Sequence, residues 1–228
     1  MSSFIEPSTY IFLKELSVNN NRDWFNKNKP RYINAHENII AFVDALLLEM
    51  RKHDNIENVS GKDSLMRIYR DTRFSQDKTP YKTYLAGSFN RATKKLRGGY
   101  YFKLGPGQTM AAGGFFSPDP KDLLQIRKDI DINYKDWKKM LANKVLIKTF
   151  DTIKGETVAT SPKGFSKDNP AIDLLKHKQF IFERTFSDKE VLDKSFLKEL
   201  NNTFKSLRPY FNYMSEVLTT DANGRSIV

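Results

Sequence analysis

The clearest pattern in the sequence is a helical one between Pro30 and Lys52. Apolar residues recur there at steps of three or four, which predicts an amphipathic helix. Pro30 suits the first position of this helix, and the basic pair Arg51–Lys52 suits its last turn. A shorter helix is predicted before it with Ser8 as the N-cap, so that residues 8–52 form a helical segment. The repeating positions are Tyr32, His36, Ile39, Val43, Leu46 and Met50.

Residues 64–116 show a different pattern, in which short runs rich in aromatic and β-branched residues are separated by turn residues. Such runs are typical of strands. Their connections are short, as at Gly105-Pro106-Gly107, which favours an antiparallel meander. The strands predicted in this block are Leu65–Tyr69, Tyr84–Phe89, Tyr100–Leu104 and Thr109–Phe116.

Helical spacing returns over residues 119–150, where Asp119 and Pro120 stand in the usual order of cap and proline. Residues 151–169 have little periodicity and are interpreted as a long loop. A half-buried strand is predicted over 179–186, followed by helices over 188–220. The whole chain, residues 1–228, is therefore predicted to be a single α+β domain, with an antiparallel sheet of about five strands packed with N-terminal and C-terminal helices.

The composition narrows the class of protein. A hydrophobic content of 39%, with 13% aromatic residues, is that of a globular protein with an aromatic core. The chain has no cysteine, which excludes disulfides and thiolate chemistry. Its first residues lack the pattern of a signal peptide, and no apolar stretch approaches the roughly 20 residues of a membrane span. We therefore expect a cytoplasmic protein without a membrane partner.

The net charge of +11 favours an anionic partner. The segment Leu65–Tyr84 holds five basic and two acidic residues, and so contributes +3 of that total. The remaining positive charge is spread along the chain. A spread charge is weaker evidence for nucleic acid than a single basic stripe, so any nucleic-acid binding is expected to be weak and nonspecific.

The basic segment contains the candidate binding residues. Guanidinium groups make planar, forked contacts with phosphate or carboxylate oxygens, and lysines add point charges. Asp71 and Asp77 are the candidate catalytic residues, since a carboxylate can orient an arginine, act as a general base or bind magnesium. Lys163, in the long loop, is a second candidate for contact with this cluster, and a structural buttress of that loop, anchored by Phe165, is the favoured alternative. The candidate ligand-binding residues are Arg67, Arg70, Arg73, Lys78, Tyr81, Lys82 and Lys163.

No metal site and no cofactor are predicted. The three histidines lack the paired spacing of ligands on one helix, although a carboxylate-only magnesium site at Asp71 and Asp77 stays as a minor alternative. The sequence has no G-x-S-x-G elbow, and its glycines do not lead from a strand into a helix as phosphate-binding loops do. Whether the chain is an enzyme is left open.

Four segments of the chain resemble the bacterial and fungal domain-of-unknown-function family numbered 2461. The resemblance implies a single α+β domain and marks Arg67–Lys82 as the signature of that family. It implies no activity and no catalytic role for any residue. The segments are Asn19–Tyr32, Arg67–Thr83, the pair GYYFKL and GGFFSP, and Ser161–Lys176.

Three hypotheses follow for the basic segment. The first is a site for an anionic, phosphate-bearing small molecule, which the excess of cations over carboxylates favours. The second is a non-catalytic module that binds the nucleic-acid backbone through a basic surface. The third is a structural role, in which the charged loop is an internal salt-bridge network.

Overall fold

The protein is described from a computed structural model, over residues 3–221 and 225–228. Within these residues the fold is α+β, with one antiparallel sheet of four strands in the order β1-β2-β3-β4. The strand count is close to the five expected. Side chains alternate along β2, so that Tyr100, Phe102 and Leu104 are buried. The strands are β1 (Leu85–Asn90), β2 (Gly99–Leu104), β3 (Thr109–Phe115) and β4 (Phe180–Phe186).

The N-terminal helices follow the predicted pattern closely. The helical spacing is confirmed, because Ile39, Val43, Leu46 and Met50 are all buried. The prediction of Ser8 as a cap is wrong. Pro7 occupies the first turn, where its missing N–H costs nothing, and the helix therefore begins two residues earlier than a cap at Ser8 would allow. The helices are α1 (Pro7–Val18), α2 (Arg22–Lys27), α3 (Lys29–Met50) and α4 (Gly61–Ser64).

The predicted strand Leu65–Tyr69 is not a strand. Its two ends form isolated antiparallel bridges, Leu65 with Gly87 and Tyr69 with Tyr81. Three residues lie between the bridged positions in one segment and five in the other, so the second segment contains two extra residues. An extra residue on one side of an antiparallel pair is left unpaired and bends the chain. The strand block therefore begins at Leu85 and not at residue 64.

The C-terminal half contains seven further helices within the described residues. Asp119 caps α5 by accepting a hydrogen bond from Asp122 N. Asn133 makes no side-chain cap hydrogen bond to the helix that follows it. The helices are α5 (Pro120–Ile132), α6 (Tyr134–Leu141), α7 (Lys144–Phe150), α8 (Ile172–Leu175), α9 (Asp188–Leu192), α10 (Phe196–Ser206) and α11 (Arg208–Thr219).

The domain divides into two compact units. In the first, the rings of Phe42 and Phe196 stack with centroids 5.7 Å apart. In the second, Tyr210 is fully buried and its hydroxyl donates to the Phe180 carbonyl at 2.9 Å. No helix among the described residues is long and apolar enough to cross a membrane. The first unit comprises residues 1–90, 101–111 and 185–202, and the second comprises 91–100, 112–184 and 203–228.

Candidate functional site

The basic segment of the first unit stands on an aromatic base. Tyr81 is buried, and its ring stacks on that of Phe25 with centroids 3.9 Å apart and an interplanar angle of 12°. Tyr69 adds a third ring, 5.4 Å from Tyr81. Phe25 lies on α2, whose first turn is fixed by the side chain of Asn21 accepting a hydrogen bond from Trp24 N. The base is therefore set by a capped helix and by buried aromatic area.

A single asparagine fixes the backbone at Tyr81. The Asn20 side-chain amide donates to the Tyr81 carbonyl at 2.9 Å and accepts from Tyr81 N at 3.1 Å. This is the pair of hydrogen bonds that a neighbouring strand residue would make. Sequence reasoning missed Asn20, because its contact with Tyr81 spans 61 positions of the chain.

Two backbone hydrogen bonds close the loop above this base. Arg70 N donates to the Pro80 carbonyl at 2.9 Å, and Lys82 N donates to the Ile68 carbonyl at 2.8 Å. Residues 71–79 therefore form a loop whose two ends are held together. We call residues 67–82 the basic loop.

The side chain of Arg70 connects several residues within the basic loop. Its guanidinium donates to the Asp77 carboxylate, to the Thr79 hydroxyl and carbonyl, and to Ser75 Oγ at 3.5 Å. Asp77 in turn accepts from Thr79 N at 2.9 Å. The Thr79 N–H and the Arg70 guanidinium together lower the pKa of Asp77 from 3.8 to about 2.

Two further cations of the basic loop also have partners inside it. Arg73 makes a forked contact with Asp71, through Nε at 3.0 Å and Nη2 at 2.7 Å, and this contact lowers the pKa of the Asp71 carboxyl. The Lys78 ammonium donates to the Thr72 carbonyl at 2.9 Å. Both contacts are exposed to solvent.

Arg67 and Lys82 differ from the other three cations. Neither side chain makes a hydrogen bond or an ion pair with any residue in 3–221 or 225–228. Arg67 is exposed, whereas Lys82 is half-buried. Burial, and to a smaller extent the nearby positive charge of Arg67, lower the pKa of the Lys82 ammonium. Two cations that form no ion pair therefore lie close enough to interact, and the charge of Arg67 also helps to lower the pKa of Asp71.

A cleft of about 460 Å³ opens beside the basic loop. Of the predicted ligand-binding residues, Arg70, Tyr81 and Lys82 line it. Its other lining residues are Asn20, Asp71, Asp77, Thr79, Thr83 and Tyr84. The cleft therefore brings one cation that forms no ion pair together with the two predicted carboxylates.

The carboxylates have an electrostatic environment that disfavours proton transfer near neutral pH. The pKa values of Asp71 and Asp77 are both lowered by hydrogen bonds, and a general base works best with a pKa near the working pH. Among the described residues no group of three histidine, aspartate or glutamate side chains is arranged to hold a metal ion. Lys163 lies exposed on a turn of the second unit, and its predicted role stays a prediction.

The fold and the basic loop together define an α+β protein with a charged hairpin loop beside a polar cleft. The model of the family described as Conserved hypothetical protein (DUF2461) matches residues 8–213, and the chain belongs to this family. The match includes the whole basic loop, and it confirms the resemblance noted in the sequence. No curated protein and no solved structure matches the chain.

Proposed function

We propose that the protein binds a small anionic ligand, carrying a phosphate or carboxylate group, at the cleft beside the basic loop. The observation that supports this most directly is the pair Arg67 and Lys82, whose side chains form no ion pair and no hydrogen bond among the described residues. Lys82 lines the cleft, and two adjacent cations that form no ion pair repel each other until an anion joins them.

The other cations of the basic loop have a supporting role in this proposal. Arg70 and Arg73 are occupied by Asp77 and Asp71, so their side chains set the shape of the loop. The hypothesis of an internal salt-bridge network thus describes these two arginines well. It leaves Arg67 and Lys82 without an ion pair, although the charge of Arg67 also helps to lower the pKa of Asp71.

The test is a set of thermal melts with inorganic phosphate against chloride at matched ionic strength. A ligand that binds only the folded state raises its stability by mass action. We expect phosphate to raise the melting temperature of the wild type, and Arg67→Gln and Lys82→Gln to fold but lose that gain. Lys14→Gln, at an exposed lysine on α1, is the charge-matched control and should keep it. Equal effects of phosphate and chloride on the wild type would refute the proposal.

A second candidate function is supported by Phe74. This side chain is 96% exposed at the tip of the basic loop, and the Arg73 guanidinium lies 5.9 Å from the centre of its ring. An exposed aromatic ring beside cations is the arrangement that stacks on an unpaired base while contacting its phosphates. We propose this single-stranded nucleic-acid contact as the alternative, with weak and nonspecific affinity.

A further inference from the structure

Lys82 has surroundings that are unusual for a lysine. The side chain is half-buried and lines the cleft, where most lysines extend into water. Its ammonium has neither a carboxylate nor a carbonyl partner among the described residues. The two acidic side chains in the same cleft are held by Arg70 and Arg73. The positive charge of Arg67 therefore acts on Lys82, and Lys82 forms no ion pair that offsets this repulsion.

Burial and the charge of Arg67 both lower the pKa of the Lys82 ammonium and so raise the share of the neutral amine. A lysine becomes nucleophilic when it is desolvated or placed next to another cation, because both effects destabilise the ammonium form. Lys82 combines partial burial with the neighbouring charge of Arg67. The charged groups around it are Arg67, Arg70, Asp71 and Asp77, of which the last three are paired within the loop.

We propose that Lys82 is a nucleophilic amine, which forms an imine with the carbonyl group of a ligand held in the cleft. This inference rests on the proposed function, since it assigns that anionic ligand to the class of aldehydes and keto acids. Arg67 acts on Lys82 through its charge but does not line the cleft. It then attracts the anionic group of the ligand towards Lys82, where the carbonyl group reacts.

The reaction needs no oxidant and no reductant. The neutral amine attacks the carbonyl carbon, and the carbonyl oxygen takes up a proton to give a carbinolamine. The carbinolamine then loses its hydroxyl group together with the remaining proton on nitrogen, which releases one water molecule and leaves a carbon–nitrogen double bond. The cleft is open to solvent, and water carries these protons.

The experiment uses the intact protein with pyridoxal 5′-phosphate and, separately, with uncharged pyridoxal. Cyanoborohydride delivers hydride to the imine carbon and fixes the adduct, and peptide mass spectrometry then gives a labelling rate for each lysine. We expect Lys82 to be labelled several-fold faster than the exposed Lys14, because burial and the charge of Arg67 lower the pKa of Lys82. Arg67→Gln should slow labelling at Lys82 several-fold and leave Lys14 unchanged.

Two readouts separate this inference from the proposed function. Labelling of Lys82 no faster than that of Lys14, with either aldehyde, would overturn the nucleophile. Selective labelling by both aldehydes that inorganic phosphate does not slow would support the nucleophile and refute the anion site. Lys82→Arg keeps the positive charge but lacks a nucleophilic amine. This variant should therefore lose the selective adduct, while labelling of Lys14 stays unchanged.

Discussion

Arg70 and Arg73 are three residues apart and both pair with an aspartate, yet their surroundings differ. The side chain of Arg70 is 26% exposed and donates to three residues, whereas that of Arg73 is 77% exposed and contacts Asp71 alone among carboxylates. An exposed ion pair contributes little to stability, while the loss of a hydrogen-bonded, half-buried donor leaves acceptors unpaired.

We predict that Arg70→Met lowers the free energy of unfolding by about 1 kcal/mol, because the Thr79 carbonyl and hydroxyl lose their donor. Arg73→Met is the matched control and should leave it unchanged within error. Urea unfolding of the two variants and the wild type measures both effects. Equal destabilisation by the two substitutions would show that the hydrogen bonds of Arg70 contribute no more to stability than the exposed pair of Arg73 and Asp71.

The Asp77 carboxyl gives the basic loop a defined pH dependence. Its pKa falls from 3.8 to about 2 on folding, so the ionised group stabilises the folded state above pH 3.8. This contribution is lost as the pH falls from about 4 through about 2. We expect the wild type to exceed Asp77→Asn in melting temperature at pH 5 and to lose that advantage by pH 2. A difference that stays constant over this range would show that Asp77 is not held by Thr79 and Arg70.

The sequence located the cluster of charges but could not show which of them are paired. Five cations and two carboxylates within twenty residues allow many pairings, and the pairing that forms depends on how the loop turns between Pro80 and Arg70. Asn20 illustrates the same limit, since it contacts a residue 61 positions away. Local sequence spacing carries no information about such a contact.

At the scale of elements, the sequence predicted those whose periodicity is long or regular. The 22-residue helix α3 and the strands β1 to β4 were found within a few residues of their bounds. The prediction of a strand at Leu65–Tyr69 was wrong. The apolar pattern of this segment is typical of a strand, but the segment that pairs with it contains two extra residues between the bridged positions. A register shift of this kind is set by the packing of the partner segment and is not visible in a five-residue pattern.

A substitution at Gly87 tests how closely the segment at Leu65 packs against β1. A Cβ atom at this position would lie 2.8 Å from the Ser64 carbonyl and 2.5 Å from the Phe102 ring. We predict that Gly87→Ala destabilises the protein by about 1–3 kcal/mol, because the bridge to Leu65 must separate or strain. Ser88→Ala, at the next residue of β1, is the control and should cost less than half as much. Similar unfolding midpoints for Gly87→Ala and wild type would show that the Ser64 carbonyl and the Phe102 ring leave room for a methyl group at this position.

At the scale of the molecule, the charge of +11 exceeds what the basic loop alone supplies. A distributed charge raises the local concentration of any polyanion, and it does so without sequence preference. The small-ligand and nucleic-acid proposals therefore differ in what they require of the loop. The first requires Arg67 and Lys82 as a pair, and the second requires Phe74 together with the overall charge.

Fluorescence anisotropy with a single-stranded oligonucleotide separates the stacking contribution from the charge contribution. We expect dissociation constants above about 1 μM at physiological salt, with the logarithm of affinity falling steeply as the logarithm of salt concentration rises. Phe74→Ser should weaken binding at every salt concentration without changing the slope, because it removes a ring and no charge. Arg73→Ala should flatten the slope by about 0.7, one phosphate contact on a single strand. Sub-micromolar affinity for one defined sequence, or an unchanged affinity in Phe74→Ser, would contradict this mode of binding.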